Sequence, residues 1–261
     1  MKFFLAPMQG LTGYIVRNAF HHHFDYIDKY YTPFIPAAKR MNAKIKRDID
    51  PVNNDGITLI PQAMSIVADE VIDLHRQLAP YGYDEINVNL GCPSGTVVSK
   101  KRGSGILAYP DMLDSFLDEL YTKADFPVSI KTRVGFNDDE LWPKLIEIYS
   151  KYPISELTVH PRVQKDFYKN TPRMDDFALA VQKINPDKTI LCYNGDITDT
   201  GSFKALTDRF PDIDEIMVGR GLFANPALIA ELKCISMDKA ELRERLKNWH
   251  DEILSGYLSI F

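Results

Sequence analysis

Cysteine is scarce in this chain. There are three, Cys92, Cys192 and Cys234, and no two are spaced C-x-x-C. That excludes a disulfide framework and suits a reducing cytoplasm. No apolar run approaches about 18 residues, so no transmembrane helix is expected. The apolar run FFLA after Lys2 is too short for a signal peptide, and Pro7 breaks it. It reads as a buried strand. Positive charge is not in surplus: 31 Lys and Arg face 36 Asp and Glu, a net charge of −5. Bulk affinity for nucleic acid is therefore disfavoured, although a local basic patch is compatible with that total. The first glycine-bearing turn, PMQGLTG, lacks the G-x-G-x-x-G spacing of a dinucleotide fold. No internal repeat or low-complexity segment is present. His21, His22 and His23 look like a metal cluster, but they end a helical pattern. Consecutive helical positions face different directions, and cation-prone residues suit that end of the dipole. No metal site is expected.

What is present is alternation. Short β-rich runs lie at 3–6, 26–31, 57–62, 85–89, 128–132, 156–160, 189–194 and 215–219. Amphipathic segments separate most of them. Val67, Val71, Leu74 and Leu78 share one helical face, as do Leu113, Phe116, Leu117 and Leu120. Asn137 and Glu140 are spaced as a capping box. Pro110 and Gly201 mark other helix starts. Residues 32–56 show no clear helix and read as a long loop. Eight strand–helix units in 261 residues predict an α/β fold, a (β/α)8 TIM barrel, over residues 1–235. A doubly wound open sheet is the alternative. Residues 236–261 read as one charged amphipathic helix and the start of another. That is a short or cut-short C-terminal helical segment.

The polar residues fall in one register. At the C-terminal ends of successive runs stand Pro7-Met8-Gln9, Gln62, Asn89 with Cys92, Lys131 with Arg133, His160, Asn194-Gly195-Asp196 and Gly219-Arg220-Gly221. A barrel gathers these ends on its catalytic face. Gly195 and Gly219 follow the last two runs, where barrels often bind phosphate. They would let backbone N–H groups approach an anion, with Arg220 adding a fork of donors. A helix after Gly221 would point its N-terminus the same way. Lys131 could form a Schiff base or stabilise negative charge on a ring. A salt-bridged barrel lysine is its bland reading. His160, beside Pro161-Arg162, could donate to a phosphate or a ring oxygen.

Seven segments together resemble the tRNA-dihydrouridine synthases: APMQGLTG, PQ at 61–62, NLGCPSGTVVSKKRGSGIL, IKTRVGF, VHPR, YNGDI and VGRGLFANP. They span residues 6–226. The resemblance implies FMN at the barrel mouth, NADPH as reductant and a uridine of tRNA as acceptor. Pro7, Met8 and Gln9 would lie along the isoalloxazine. Gln62 and Lys131 would meet its polar edge, and Asn89 would sit near flavin and base. His160 would reach the phosphate region or the base. Asn194, Gly195, Asp196, Gly219 and Arg220 would form the ribityl and phosphate end. Arg133 and Arg162 would be further contacts to the substrate. Such an enzyme adds hydride from flavin N5 to uracil C6 and a proton to C5. Cys92 would be the proton donor, because a thiol near pKa 8.5 is protonated at neutral pH. Cys192 and Cys234 read as buried small hydrophobes. Lys100, Lys101 and Arg102 would contact tRNA phosphates as a mobile lid over the site. The family's longer helical bundle, which grips tRNA, is only begun by residues 236–261. The competing functions are an FMN barrel oxidoreductase of a free small molecule (dihydroorotate dehydrogenase-like), a non-catalytic flavin- or RNA-binding relative, and a Schiff-base aldolase.

Overall fold

The structure is a computed structural model that describes residues 1–37 and 40–260. Eight parallel strands close into a barrel. They are β1 (Lys2–Leu5), β2 (Lys29–Tyr31), β3 in two pieces (Leu59–Ile60 and Gln62–Met64), β4 (Ile86–Leu90), β5 (Val128–Gly135), β6 (Glu156–Val163), β7 (Ile190–Tyr193) and β8 (Glu215–Val218). Neighbours in sequence pair in parallel, and β8 returns to β1 through Phe3↔Ile216 and Phe4↔Met217. The third strand closes the ring in two halves. Its first half pairs β2 at Tyr30↔Leu59, and its second pairs β4 at Gln62↔Asn87. Pro61 divides them, since proline has no N–H to give the ladder. A two-residue strand, Ile35–Pro36, pairs with the second half.

All eight expected strands form, because each presents apolar residues to the helices that cover the barrel. One face packs against the helices in a single large core. The other points into the barrel, where Phe4, Ala6, Tyr31, Ile60, Cys192 and Met217 touch one another.

The helices are α1 (Tyr14–His23), α2 (Ala43–Ile49), α3 (Ala68–Leu78), α4 (Gly95–Val98), α5 (Pro110–Lys123), α6 (Trp142–Tyr149), α7 (Met174–Lys183), α8 (Thr200–Arg209), α9 (Arg220–Ala224), α10 (Leu228–Leu232) and α11 (Lys239–Leu258). Five differ from expectation, four of them outside the mouth. The stretch read as a loop contains α2, whose start is capped by Asn42 accepting from Ile45 N–H at 3.0 Å. Its short, basic sequence has only Ile49 buried, so no periodic apolar stripe announced it. In α3 the shared face holds Val71, Leu74 and Leu78, but Val67 is the N-cap and exposed. The Asn137–Glu140 capping box does not form. The α6 helix starts at Trp142 with Pro143 in its first turn, and Glu140 N–H bonds Asp138 instead. The tail is a single helix, α11, with no second one begun among the described residues.

The α11 helix is docked on the barrel. Leu242, Leu246, Trp249, Ile253 and Tyr257 pack against the core, and Trp249 meets Phe20 of α1 edge-on at 5.3 Å. A Cβ at Gly256 would lie 2.6 Å from Ile15, so glycine permits the close approach. His22 and His23 both bond Glu252 of α11, at 2.9 and 2.8 Å, while His21 meets Asp25. The triplet is thus engaged with carboxylates. No helix among the described residues is long and apolar enough to cross a membrane.

Candidate active site

Every second residue of each strand points into the barrel, so the interior is built in layers. Near the N-terminal end, buried Glu156 accepts from Lys29 at 2.7 Å, Tyr31 at 2.8 Å and Thr158 at 2.7 Å. In the layer nearer the mouth stand Gln62, Asn89, Lys131, His160, Asn194 and Gly219.

A chain of amides crosses this interior. Asn87 donates to Ser129 at 3.0 Å and accepts from Gln62 at 2.8 Å. Gln62 in turn accepts from Asn89 at 2.7 Å. Asn89 Oδ1 accepts from the N–H groups of Gly91 and Cys92, at 3.1 and 2.9 Å. The chain pins the backbone that carries the Cys92 thiol. Gln62 and Asn89 therefore act first on their neighbours, and each keeps only one N–H for a ligand. On the other side the Cys92 carbonyl accepts from Ser104 N–H and Oγ. Gly103 has φ +55°, and a Cβ there would stand 2.8 Å from that carbonyl.

The mouth opens into a cavity of about 570 Å³. Pro7, Met8, Gln9, Gln62, Asn89, Cys92, Lys131, Arg133, His160, Asn194, Gly195, Asp196, Gly219 and Arg220 all line it. Thr12 holds the Pro7–Gln9 turn by bonding both N–H and C=O of Met8. Three cations and one carboxylate line the wall, so it attracts anions.

Lys131 has no carboxylate partner among the described residues, which removes the salt-bridged reading. Its remaining exposure opens into the cavity. Burial, and secondarily Arg133, bring its pKa down to about 7. His160 is held well below the ordinary histidine value by burial and then by Arg133 and Lys131, so it is neutral. Arg162 can only donate, and it lies 3.1 Å from His160 Nε2. The proton therefore sits on Nδ1. Burial raises the Cys92 pKa, opposed by a Ser94 backbone bond, Arg133 and Lys131, and the thiol stays protonated.

Several expectations are relocated. Arg162 does not line the cavity. It is 1 % exposed, bonds the carbonyls of Lys169 and Asn170, and pairs with Asp196 at 2.5 Å. Arg133 lines the wall but also spends its guanidinium on the carbonyls of Gly91, Val163 and Phe167. Lys100, Lys101 and Arg102 are not folded over the mouth. They follow α4, where Lys101 lies over the Tyr109 ring and Arg102 pairs with Glu70 at 3.1 Å. Asp196 is shared by Arg162 and Arg220, which leaves that end of the cavity a net positive charge. Gly195 has a packing reason to be glycine: a Cβ would fall 1.8 Å from the Tyr193 hydroxyl. The helix expected after Gly221 begins at Arg220 and runs five residues. Cys192 is buried as expected, but Cys234 is exposed.

The structure adds Phe34, Phe167 and Tyr168 to the wall. Phe167 sits at φ +52°, a conformation that non-glycine residues seldom adopt. Arg133 and Arg220 lie 5.7 and 5.2 Å from the Tyr168 ring centre. The DFY triplet after the sixth strand was its only trace in sequence, and two adjacent aromatics carry no register.

The fold and mouth define a parallel (β/α)8 barrel whose cavity at the C-terminal ends of its strands attracts anions. The chain belongs to the dihydrouridine synthase (Dus) family, whose model matches residues 4–253. A "Probable tRNA-dihydrouridine synthase" of Staphylococcus aureus (strain COL) is 27% identical over 237 residues, 86% of this chain and 69% of that one. "tRNA-dihydrouridine synthase B" of Pasteurella multocida (strain Pm70) is 26% identical over 243 residues, covering 90% and 69%. Among solved structures, morphinone reductase superposes with a TM-score of 0.60 at 11% identity, covering 92% of this chain and 88% of that one. The 3-hexulose-6-phosphate synthase of Salmonella typhimurium gives 0.55 at 15% identity, covering 94% and 100%. These last two likenesses concern the fold alone.

Proposed function

We propose that this chain is a cytoplasmic enzyme that reduces uridine in tRNA to 5,6-dihydrouridine, with FMN as its cofactor and NADPH as reductant. The carrying observation is that one cavity is lined both by a protonated thiol at Cys92 and by a Lys131 amine that has no carboxylate partner among the described residues and whose pKa burial brings to about 7. An anionic ligand beside this amine would restore its proton and its charge, so the site is suited to one. The cavity volume lies in the range of about 300–1,000 Å³ usual for cofactor sites. Residues 1–235 would carry the chemistry, and residues 236–261 would belong to a helical tRNA-binding region.

In this reading Pro7, Met8 and Gln9 would form one wall of the flavin site, and Lys131 would meet the ring's polar edge. Asn194, Gly195, Gly219 and Arg220 would hold the phosphate end, with Asp196 fixing the angle of Arg220. Bound FMN supplies hydride chemistry. Cys92 Sγ holds the proton destined for C5 of the uracil ring, and the Asn87–Gln62–Asn89 chain keeps that sulfur in place. His160 Nδ1–H would donate to a ring oxygen or a phosphate, as a neutral donor that does not release its proton. Phe167 and Tyr168 stand half-exposed on the cavity wall, where an incoming base could cover them.

The test is spectroscopic and then chemical. The purified protein is expected to be yellow, or to become so with FMN but not FAD, and its reduced form to be re-oxidised by undermodified tRNA. A colourless protein that FMN cannot reconstitute sinks the reading. Arg220→Ala is expected to weaken flavin retention by about 5- to 100-fold, as for loss of one charge-assisted contact. Its absorbance maxima should stay in place, because Arg220 lies at the phosphate end.

A further inference from the structure

A second pocket, of about 340 Å³, adjoins the catalytic cavity and shares Gln9 and Phe34 with it. Its wall carries Tyr14, Phe34 and Tyr257 beside Lys44 and Arg47 of α2. The segment Arg40–Arg47 holds four cations and no carboxylate, in a chain of net charge −5. All four are exposed. None pairs with an acid among the described residues.

Among the described residues, unpaired surface cations also occur at Lys100, Lys101, Lys165, Lys169, Lys188, Lys239 and Arg243, but nowhere else are four gathered within eight residues with no acid among them. Lys123, Lys144, Lys151, Lys204 and Lys247 each sit within 2.8 Å of a carboxylate. The acid that follows Arg47 is no exception, because Asp48 is turned inward. It accepts from Tyr14 N–H at 2.7 Å and pairs with buried Arg17 at 3.2 Å. An ordinary solvated helix carries both signs, because opposite charges three or four residues apart attract and stabilise it. A helix whose exposed charges are all positive, beside an aromatic pocket that adjoins the active cavity, is a different arrangement.

Resting on the proposed tRNA substrate, we propose that α2 and this pocket form a second RNA contact. Arg40, Lys44, Lys46 and Arg47 hold backbone phosphates, and Tyr14, Phe34 and Tyr257 take an unstacked base of the same strand. A target base must leave its stack to enter the catalytic cavity, and its strand neighbours are then splayed at the rim. The shared wall at Gln9 and Phe34 puts the second pocket within reach of such a neighbour. Phosphates meet unpaired cations and bases meet aromatic faces, which is how single strands are gripped without sequence readout.

The test uses the full flavin-loaded chain. With Arg40, Lys44, Lys46 and Arg47 all replaced by Ala, the slope of log affinity for tRNA against log salt is expected to flatten by about three to four. A control with Lys144→Ala, Lys183→Ala and Lys204→Ala is expected to keep the parental slope. Tyr14→Leu and Tyr257→Leu, made separately, are expected to raise KM for tRNA about tenfold, as for a lost stacking face. Neither should change kcat or the rate of flavin reduction by NADPH. Equal flattening in the control, or unchanged slope and KM in the variants, overturns the proposal. If the parental protein turns over tRNA and the variants match it, only this contact falls. If the parental protein neither binds tRNA nor is re-oxidised by it, the proposed function falls too.

Discussion

Cys92→Ala is expected to separate two rates. Re-oxidation of the reduced protein by tRNA should slow by about 10²–10⁴-fold, the range for loss of a general acid. Bleaching of the yellow protein by NADPH should proceed at the parental rate. The reason lies in the geometry of the loop. The thiol lines the cavity, is kept protonated by burial, and is aimed by Asn89 from one side and Ser104 from the other. Cys192, enclosed in the barrel, and Cys234, exposed after α10, have no such placement. Their alanine variants should show both rates unchanged. Stopped-flow absorbance of the two half-reactions reads the result. Normal re-oxidation of Cys92→Ala would reassign the acid.

Lys131→Met should trade activity for stability. The folded pKa of Lys131 is about 7, below its ordinary value of 10.5. The unfolded chain therefore binds the extra proton between those pH values, and stability rises with pH across that window. Below about pH 7 the ammonium is charged in both states, and its desolvation penalty is present in full. Removing the amine should raise Tm of the flavin-free protein most below pH 7, with the gain shrinking as pH approaches 10. The same variant should lose preference for a reduced, anionic flavin, seen as a lower midpoint potential. A Tm gain that grows from pH 7 to 10 would contradict the sign of this account. An unchanged potential would remove Lys131 from the ring's edge.

Much of the site was legible because strands report themselves twice, by apolar content and by the residue that follows. Gln62, Asn89, Lys131, His160 and Asn194 each close an apolar run, and all five line one cavity. The period of two makes that register a geometric statement about a barrel. Loop residues had no such rule. Phe34, Phe167 and Tyr168 reached the wall through turns that no spacing predicts. Arg133 and Arg162 looked alike in sequence, yet one lines the cavity and the other is enclosed behind Asp196. The α2 helix was hidden because an exposed basic turn buries almost nothing, and hydrophobic periodicity is the signal that reveals helices.

The local chemistry of this protein follows from its sequence alone: eight parallel strands, a thiol after the fourth, a lysine in the fifth and glycines after the last two. These are consequences of period, composition and turn residues, which act within a few positions of the chain. Tertiary structure decided what long-range contact decides. Closure of the barrel across Pro61 set which layer each side chain occupies. Burial set the charge of Lys131, His160 and Cys92, since desolvation depends on everything packed around a group. The sharing of Asp196 by two arginines, and the meeting of α2 with the far end of α11 at one pocket, join residues that sequence distance keeps apart.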